Sequence, residues 1–323
     1  MQNKNISVVG CGYWGKNLIR NFSQLGCLNS ISDTNIELAN SRSLEFNVPV
    51  KTFDEVLSCD EIEGVVIAAP AFLHSKLAIS AMNSGKHVFV EKPMAINLKE
   101  ANEMIEVSKR NSTSLMIGHL LQYHPVFRKL KNMVNDGEFG KINYIYSNRL
   151  SLGKVRSEED VVLSFSPHDI SMVLSLSKSN PVSVKRDSLS ILQKGIDDIA
   201  RLNIEFSDGL MSDINVSWLN PVKEQKLVLI GENGMAVFDD TLEWKRKLAL
   251  YKHKVNLNDL SVSKVDPIFV EVPEAEPLRE ECSYFCDVVD GKSIPITDGI
   301  EGYNVLSILE AAEKAKSGQK ITL

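Results

Sequence analysis

Through the first third of the chain, short unbroken apolar runs alternate with stretches of helical periodicity. ISVVG (6–10), GVVIAAP (64–70), KHVFVEK (86–92) and SLMIGH (114–119) read as strands, and CLNSIS, ending at Asp33, reads as the second of the series. Between two of these runs Leu73, Leu77 and Ala81 recur at helical spacing, with Gly85 placed to stop that helix. Strands that are apolar on both faces need cover on both. Helices crossing between successive strands of a parallel sheet supply it. The pattern predicts a doubly wound α/β domain.

After residue 120 the pattern changes. KINYIYSNRL (141–150), PVSVKRDSL (181–189), IARLNIEFSDGLMSDINVSWL (199–219), KLVLIGENGMAVFDD (226–240) and LEWKRKLALYKH (242–253) read as strands. Ser207-Asp208-Gly209 and Glu232-Asn233-Gly234 join neighbours as hairpin turns. These features predict an α+β domain built on a large, mainly antiparallel open sheet. Val305, Ile308, Leu309 and Ala312 form one stripe of a last helix, expected over about 299–317, with Thr297 or Asp298 to cap it and Gly318 to end it. A chain of 323 residues suits two domains. The boundaries read as 1–122 and 123–323.

A formal net charge of −6 and the lack of a basic run argue against nucleic-acid binding. No apolar stretch is long enough to span a bilayer, and MQNKNISVVGCG lacks the features of a signal peptide, so a cytoplasmic protein is expected. Five scattered cysteines do not form a disulfide framework; Cys282 and Cys286 share a helix face but read as packing thiols. His119, His124 and His168 come from separate segments without zinc-like spacing, so no metal is expected. No G-x-S-x-G elbow is present.

VVGCGYWGKN places Gly10, Gly12 and Gly15 directly after the first strand. Gly10 allows the tight turn, Gly12 lets a pyrophosphate approach the backbone, and Gly15 permits close helix–strand packing. The helix that opens there offers unpaired N–H groups and the positive end of its dipole. Asp33, at the tip of the second strand, suits the hydroxyls of an adenosine ribose and repels a 2′-phosphate. Thr34, Asn35 and Ile36 follow it, with no arginine among them, which favours NAD over NADP. The first domain therefore reads as a Rossmann NAD-binding domain, with Tyr13 and Trp14, inside the glycine turn, expected at the cofactor.

Lys92 ends another strand, at the carboxyl end beyond which ligands of such folds sit. Pro93 restricts it to an extended conformation or adopts the cis form, and either effect sets where Lys92 points. A lysine near the positive nicotinamide has a lowered pKa and can exchange a proton with a substrate hydroxyl.

GCGYWGKN, AAPAFLH (68–74), VEKPMA (90–95) and SPHDISM (166–172), in that order, resemble the glucose–fructose oxidoreductase/inositol dehydrogenase/rhizopine catabolism (Gfo/Idh/MocA) family. The resemblance extends to EPLREECSYFCDVVDG near residue 280 and the last helix. It implies that Lys92 belongs to the catalytic site and that Pro70, His74 and Glu91 line the cofactor cleft. It also implies that His168 contacts the hydroxyl being oxidised. The Pro-His-Asp run begins a helical pattern, so the imidazole is expected at a helix N-terminus, a general base of near-neutral pKa. His168 is assigned the proton and Lys92 the polarising contact; the two roles are exchangeable. Two positions depart from the family pattern: Ser164 stands where many members carry aspartate, and Ala69 where threonine is usual.

GYWGKN, NRLSLGKVR (148–156) and SWLNPVKEQKLVLIGENGMAVFDD (217–240) resemble a branch that acts on nucleotide sugars, the 3-dehydrogenases of UDP-N-acetylglucosamine or its uronic acid. The resemblance implies oxidation of the sugar 3-hydroxyl in surface polysaccharide or lipid A precursor synthesis, followed by a pathway aminotransferase. Arg149, Lys154 and Arg156 then suit a diphosphate, or are solvated surface. His119, Tyr123 and Ser164 are expected beside the substrate with them. Tyr123 and Trp218 suit either stacking on sugar or uracil, or core packing. Relatives associate through the open face of the second sheet, so a homodimer or homotetramer is expected. A dehydrogenase of a free sugar or inositol, a non-catalytic NAD-binding sensor or scaffold, and NAD-assisted glycoside cleavage are the competing readings.

Overall fold

A computed structural model of the chain describes residues 5–255, 258–315 and 318–323. It divides into two compact units. One takes in the chain up to His124 together with Ala275–Leu306; the other takes in Pro125–Glu274 and Ser307–Leu323.

The first unit alternates β1 (Ile6–Val9), α1 (Tyr13–Leu25), β2 (Leu28–Ser32), α2 (Ile36–Phe46), α3 (Phe53–Ser58), β3 (Gly64–Ile67), α4 (Ala71–Asn83), β4 (His87–Glu91), α5 (Leu98–Arg110) and β5 (Leu115–Gly118). Its strands lie in the order β2-β1-β3-β4-β5, all parallel. β1, β3 and β5 are buried at every position, as their unbroken apolar runs require. Thr52 and Glu55 form a reciprocal cap at α3, and Asn35 and Asn97 cap α2 and α5. Gly85 follows α4 with φ +75°, the left-handed geometry expected of a stop.

The second unit contains α6 (Pro125–Asn135), β6 (Ile142–Leu152), α7 (Val161–Leu176), β7 (Pro181–Leu189), β8 (Ile199–Phe206), β9 (Met211–Ser217), β10 (Leu219–Gly231), β11 (Gly234–Asp239) and β12 (Leu248–Tyr251). β13 (Lys254–Val255) and β14 (Val262–Ser263) form a separate pair, and β15 (Ile268–Phe269) joins the main sheet. Further along the chain come α8 (Pro277–Val289), which belongs to the first unit, α9 (Gly299–Lys314), which spans both, and β16 (Lys320–Thr322), in the second. The sheet order is β15-β12-β11-β10-β6-β9-β8-β7-β16, antiparallel except where β6 runs parallel to β9. α7 covers one face across β6 and β9. The expected strand over 242–253 is only half formed. Trp244–Arg246 is a 3-10 turn, tied down where Trp244 Nε1 donates to the Val272 carbonyl and Lys247 Nζ reaches Asp240, and β12 begins only at Leu248.

A single boundary after residue 122 does not describe this arrangement, because Ala275–Leu306 belongs to the first unit. The reason lies in α8. Leu278, Cys282, Phe285, Cys286 and Val289 recur at helical spacing and are all buried. Phe285 meets Phe22 at 6.3 Å and Phe89 at 5.6 Å between ring centroids. α9 is capped by Asp298, whose carboxylate accepts from the Glu301 N–H, while Thr297 is buried and donates to the Ile117 carbonyl. The predicted stripe of Val305, Ile308, Leu309 and Ala312 is buried. Residues 316 and 317, the end of the expected last helix, lie outside the described residues. No helix among the described residues is long and apolar enough to cross a membrane.

Candidate active site

The glycine turn follows β1, and each glycine has a distinct reason. Gly10 has φ +101°, and a Cβ there would lie 2.5 Å from the Ala68 carbonyl oxygen. A Cβ on Gly15 would lie 1.9 Å from the carbonyl oxygen of Gly10, so the start of α1 packs directly on the turn. Gly12 is different: a side chain there would meet no protein atom within 4 Å. Packing does not require glycine at 12, whereas close approach of a phosphate does.

Asp33 closes the other side. Its carboxylate accepts from the Cys11 N–H at 2.6 Å and from the Asn35 N–H at 2.8 Å, which aligns it while leaving lone pairs for a diol. Gly10, Gly12, Asp33, Ala69 and Pro70 line one cleft of ≈ 690 Å³ at the carboxyl ends of β1, β2 and β3. Thr34, Ile36, Thr52, Phe53 and Leu73 also line it. Thr52 and Phe53 have no counterpart in the sequence reading. They arrive because Val50 makes an isolated parallel bridge to Ile31, carrying the segment after it to the cleft.

Absence of arginine directly after Asp33 does not leave that corner free of cations. Arg42, further along α2, has Nε 3.5 Å from the Cys11 carbonyl, and its guanidinium donates to Glu45 at 2.8 Å. Lys16 pairs with the same glutamate at 2.6 Å.

Lys92 follows β4, and the Lys92–Pro93 peptide is cis. Its backbone N–H donates to the Glu91 carboxylate at 3.3 Å, and the indole N–H of Trp14 donates to the other oxygen. Burial pushes the Glu91 carboxyl up to about 7, against the lowering effects of the Trp14 hydrogen bond and the Lys92 charge. Tyr13 and Trp14 are both exposed, so both flank the glycine turn at its surface. His74 does not line the cleft. It is buried one turn into α4 and bridges backbone carbonyls of Ala69 and Pro93.

Two residues expected beside the substrate are interior. His119 is buried with Nδ1 2.6 Å from the Glu301 carboxylate. Tyr123 is fully buried, its hydroxyl 2.8 Å from Thr297 Oγ1 and its ring 5.2 Å from Tyr284. A ring with no exposed surface cannot stack on a ligand, so Tyr123 is corrected to a core residue. Near it Glu281 is fully buried, and neither carboxyl oxygen has a hydrogen-bond partner among the described residues. Burial, with the Glu91 charge added, pushes Glu281 well above the carboxylate range.

In the second unit His168 lies in mid-helix, not at an N-terminus. α7 starts at Val161 because Asp160 accepts from the N–H groups of Val162 and Leu163 at 3.0 and 3.1 Å. Pro167 is accommodated inside the helix, and Ser164 lies one turn before His168, buried. Asp160 is itself held by Arg186, a fully buried guanidinium that also binds Asp197, and Glu313 at 3.2 Å. Asp169, beside His168, accepts from Arg149 Nε at 2.5 Å and Ser147 Oγ at 2.5 Å. The expected cationic stretch is therefore divided. Arg149 is committed to a buried carboxylate, while Lys154 and Arg156 are exposed, with Arg156 3.6 Å from Glu159. Trp218 is fully buried and donates to Asp198, in keeping with a core residue.

Residues 4–119 match the model of an oxidoreductase family with an NAD-binding Rossmann fold, and residues 127–237 match the Gfo/Idh/MocA C-terminal domain. The chain belongs to the Gfo/Idh/MocA oxidoreductase family. Within it, the chain is 24% identical to the UDP-N-acetylglucosamine 3-dehydrogenase of Acidithiobacillus ferrooxidans, over 93% of each chain. A solved structure of that protein superposes with a TM-score of 0.86, 23% identity and 97% coverage of both chains. The WlbA dehydrogenase of Bordetella pertussis, solved with NADH and UDP-GlcNAcA, superposes with a TM-score of 0.79 and 21% identity over 99% of this chain and 98% of that one. A 2,7-anhydro-N-acetylneuraminate hydratase of Mediterraneibacter gnavus is 27% identical over 64% of this chain. The chain spans about 60% of the length of the first curated relatives it matches. The Gfo/Idh/MocA assignment accounts for the two-part architecture: a five-stranded parallel Rossmann sheet followed by a nine-stranded, mostly antiparallel one among the described residues.

Proposed function

We propose that this protein is an NAD-dependent dehydrogenase that oxidises a secondary alcohol of a sugar, with the 3-hydroxyl of a UDP-N-acetylglucosamine-type nucleotide sugar as its substrate. The observation that carries the reading is that Gly10, Gly12, Asp33 and Pro70 line one cleft, with an aligned carboxylate and a glycine that protein packing does not explain. These features fit NAD. Gly12 and the first turn of α1 would hold the pyrophosphate and Asp33 the ribose diol. When bound, the nicotinamide supplies the hydride acceptor.

The chain's own residues have the following parts. Lys92 donates a hydrogen bond to the substrate oxygen and favours its alkoxide character as the hydride leaves. His168 accepts the hydroxyl proton. Glu91 positions both Trp14 and the Lys92 backbone. Ser164 carries no acid function, so the proton leaves His168 to solvent and not to a carboxylate at that position.

The test is reduced-cofactor absorbance across a panel of UDP-sugars. UDP-N-acetylglucosamine or its uronic acid should reduce NAD. Lys92→Ala should lower turnover by orders of magnitude while NAD still binds. An unchanged rate in that variant would discard the mechanism. A second reading, oxidation of a free sugar or inositol, is favoured by the commitment of Arg149 to Asp169, which removes one cation from a diphosphate site. It requires turnover without a nucleotide and no effect of Arg156→Ala.

A further inference from the structure

Cys27 follows the exposed left-handed Gly26 at the start of the path into β2, and Cys286 lies in the last turn of α8. Their sulfurs are 3.0 Å apart, and both residues are buried. Apolar packing alone leaves heavy atoms about 3.5–4.0 Å apart. This pair is closer, in hydrogen-bond contact. We propose that Cys27 and Cys286 are an oxidation site, a dithiol that closes to a disulfide under a peroxide and staples α8 to the turn between α1 and β2.

The surroundings support that chemistry. Closing from the present separation to a bond of about 2.05 Å needs roughly 1 Å of side-chain movement. Each thiol is close in sequence to an exposed turn, Gly26 beside Cys27 and Asp290–Gly291 after Cys286, while the cysteines themselves are buried. The hydrogen bond between them divides the pair. It draws the Cys27 thiol below its ordinary pKa and drives Cys286 above, which favours Cys27 as the attacking sulfur. Cys282, one turn earlier on α8, is fully buried and pushed well above the ordinary thiol range by burial, so it stays inert.

The steps balance with hydrogen peroxide as the two-electron oxidant. The Cys27 thiolate attacks one peroxide oxygen, breaking the O–O bond; the sulfur becomes a sulfenic acid and hydroxide takes up a proton to leave as water. Cys286 then attacks the Cys27 sulfur, forming the S–S bond; its thiol proton leaves with the hydroxyl as a second water. Two thiols and one peroxide give one disulfide and two waters. A cross-link between residues so distant in sequence restrains the unfolded chain strongly.

The experiment uses the full chain, reduced, freed of reductant and exposed to hydrogen peroxide. It is then alkylated after unfolding, digested and mapped by mass spectrometry. The expected result is one linked peptide joining Cys27 to Cys286, two hydrogens lighter, with Cys11 and Cys282 recovered alkylated. Dithiothreitol should reverse the link. The thermal midpoint should rise by on the order of 5 °C relative to the reduced form. Recovery of both Cys27 and Cys286 as free thiols, a link through Cys282, or oxidation of Cys27 beyond the sulfenic stage without a link would each overturn the proposal. The mapping needs no variant, so it does not depend on whether Cys286→Ser folds. It is also independent of the dehydrogenase reading.

Discussion

Nδ1 of His74 lies 2.8 Å from the carbonyl oxygen of Pro93, and Nε2 lies 2.8 Å from that of Ala69. One imidazole thus ties the loop that carries Lys92 to the loop that enters α4. A neutral ring has a single N–H and satisfies only one carbonyl; the protonated ring satisfies both. Burial lowers the His74 pKa and the two carbonyls oppose it, with burial prevailing. Burial thus favours the neutral ring, which donates its one N–H to one of the two carbonyls and packs against the other.

Replacing it by a similar-sized apolar side chain removes that tie. His74→Leu should cost about 1–3 kcal/mol in denaturant unfolding. Turnover should fall more than NAD affinity, because the released loop carries Lys92 and not the glycine turn. Equal loss of both would assign His74 to the cofactor.

Glu91 makes a pH prediction. Its raised pKa, about 7, means that the folded protein keeps this proton between about pH 4.5 and 7 while the unfolded chain releases it. Its contribution to stability is therefore full at low pH, declines as pH rises through that window, and is flat above it. The decline should be about 1–3 kcal/mol, allowing for the partial exposure of the residue. Glu91→Gln should flatten that part of the unfolding profile and leave the slopes below pH 4 unchanged.

Arg149 tests structure against substrate binding. Asp169 is buried, and removing its cation strands a charge in the interior. Arg149→Met should destabilise the protein by about 3–5 kcal/mol, and Arg149→Met with Asp169→Leu should recover much of that loss. A folded, fully stable Arg149→Met variant with a raised KM only for nucleotide sugars would return Arg149 to the diphosphate.

The proposed preference for NAD makes a prediction about Asp33 and the cations behind it. Glu45 holds both Arg42 and Lys16. Combining Asp33→Ser with Glu45→Gln should free those cations for a 2′-phosphate and shift the NAD-to-NADP ratio of kcat/KM by about tenfold or more toward NADP. Kinetics with both cofactors check this; an unmoved ratio would place the ribose elsewhere.

Local chemistry made much of this protein readable in one dimension. The unbroken apolar runs predicted the parallel strands because a strand buried on both faces has no polar alternation to show. The glycine turn and Asp33, which line one cleft, were legible because a tight strand-to-helix turn and a strand tip need particular residues at particular steps. PVSVKRDSL was legible as β7 down to its ends, since alternation is a short-range property.

Other features depend on partners distant in the chain. Lys92 announces itself beside a proline, but the Trp14 indole that holds its neighbour Glu91 arrives only after the sheet has formed. Pro-His-Asp read as a helix start; Asp160, fixed by Arg186, begins the helix two turns earlier. Arg149 read as a phosphate ligand or a solvated cation until Asp169 was placed against it, and Tyr123 as a stacking ring or core packing until its burial chose the core.

Sequence alone determined the order of the elements, the two sheet types and the cofactor turn, because backbone sterics and hydrophobic periodicity act over a few residues. Tertiary structure decided which charges are spent internally, that Ala275–Leu306 returns to the first unit, and that Cys27 meets Cys286. Burial and pairing between distant segments set those outcomes, and no local pattern encodes them.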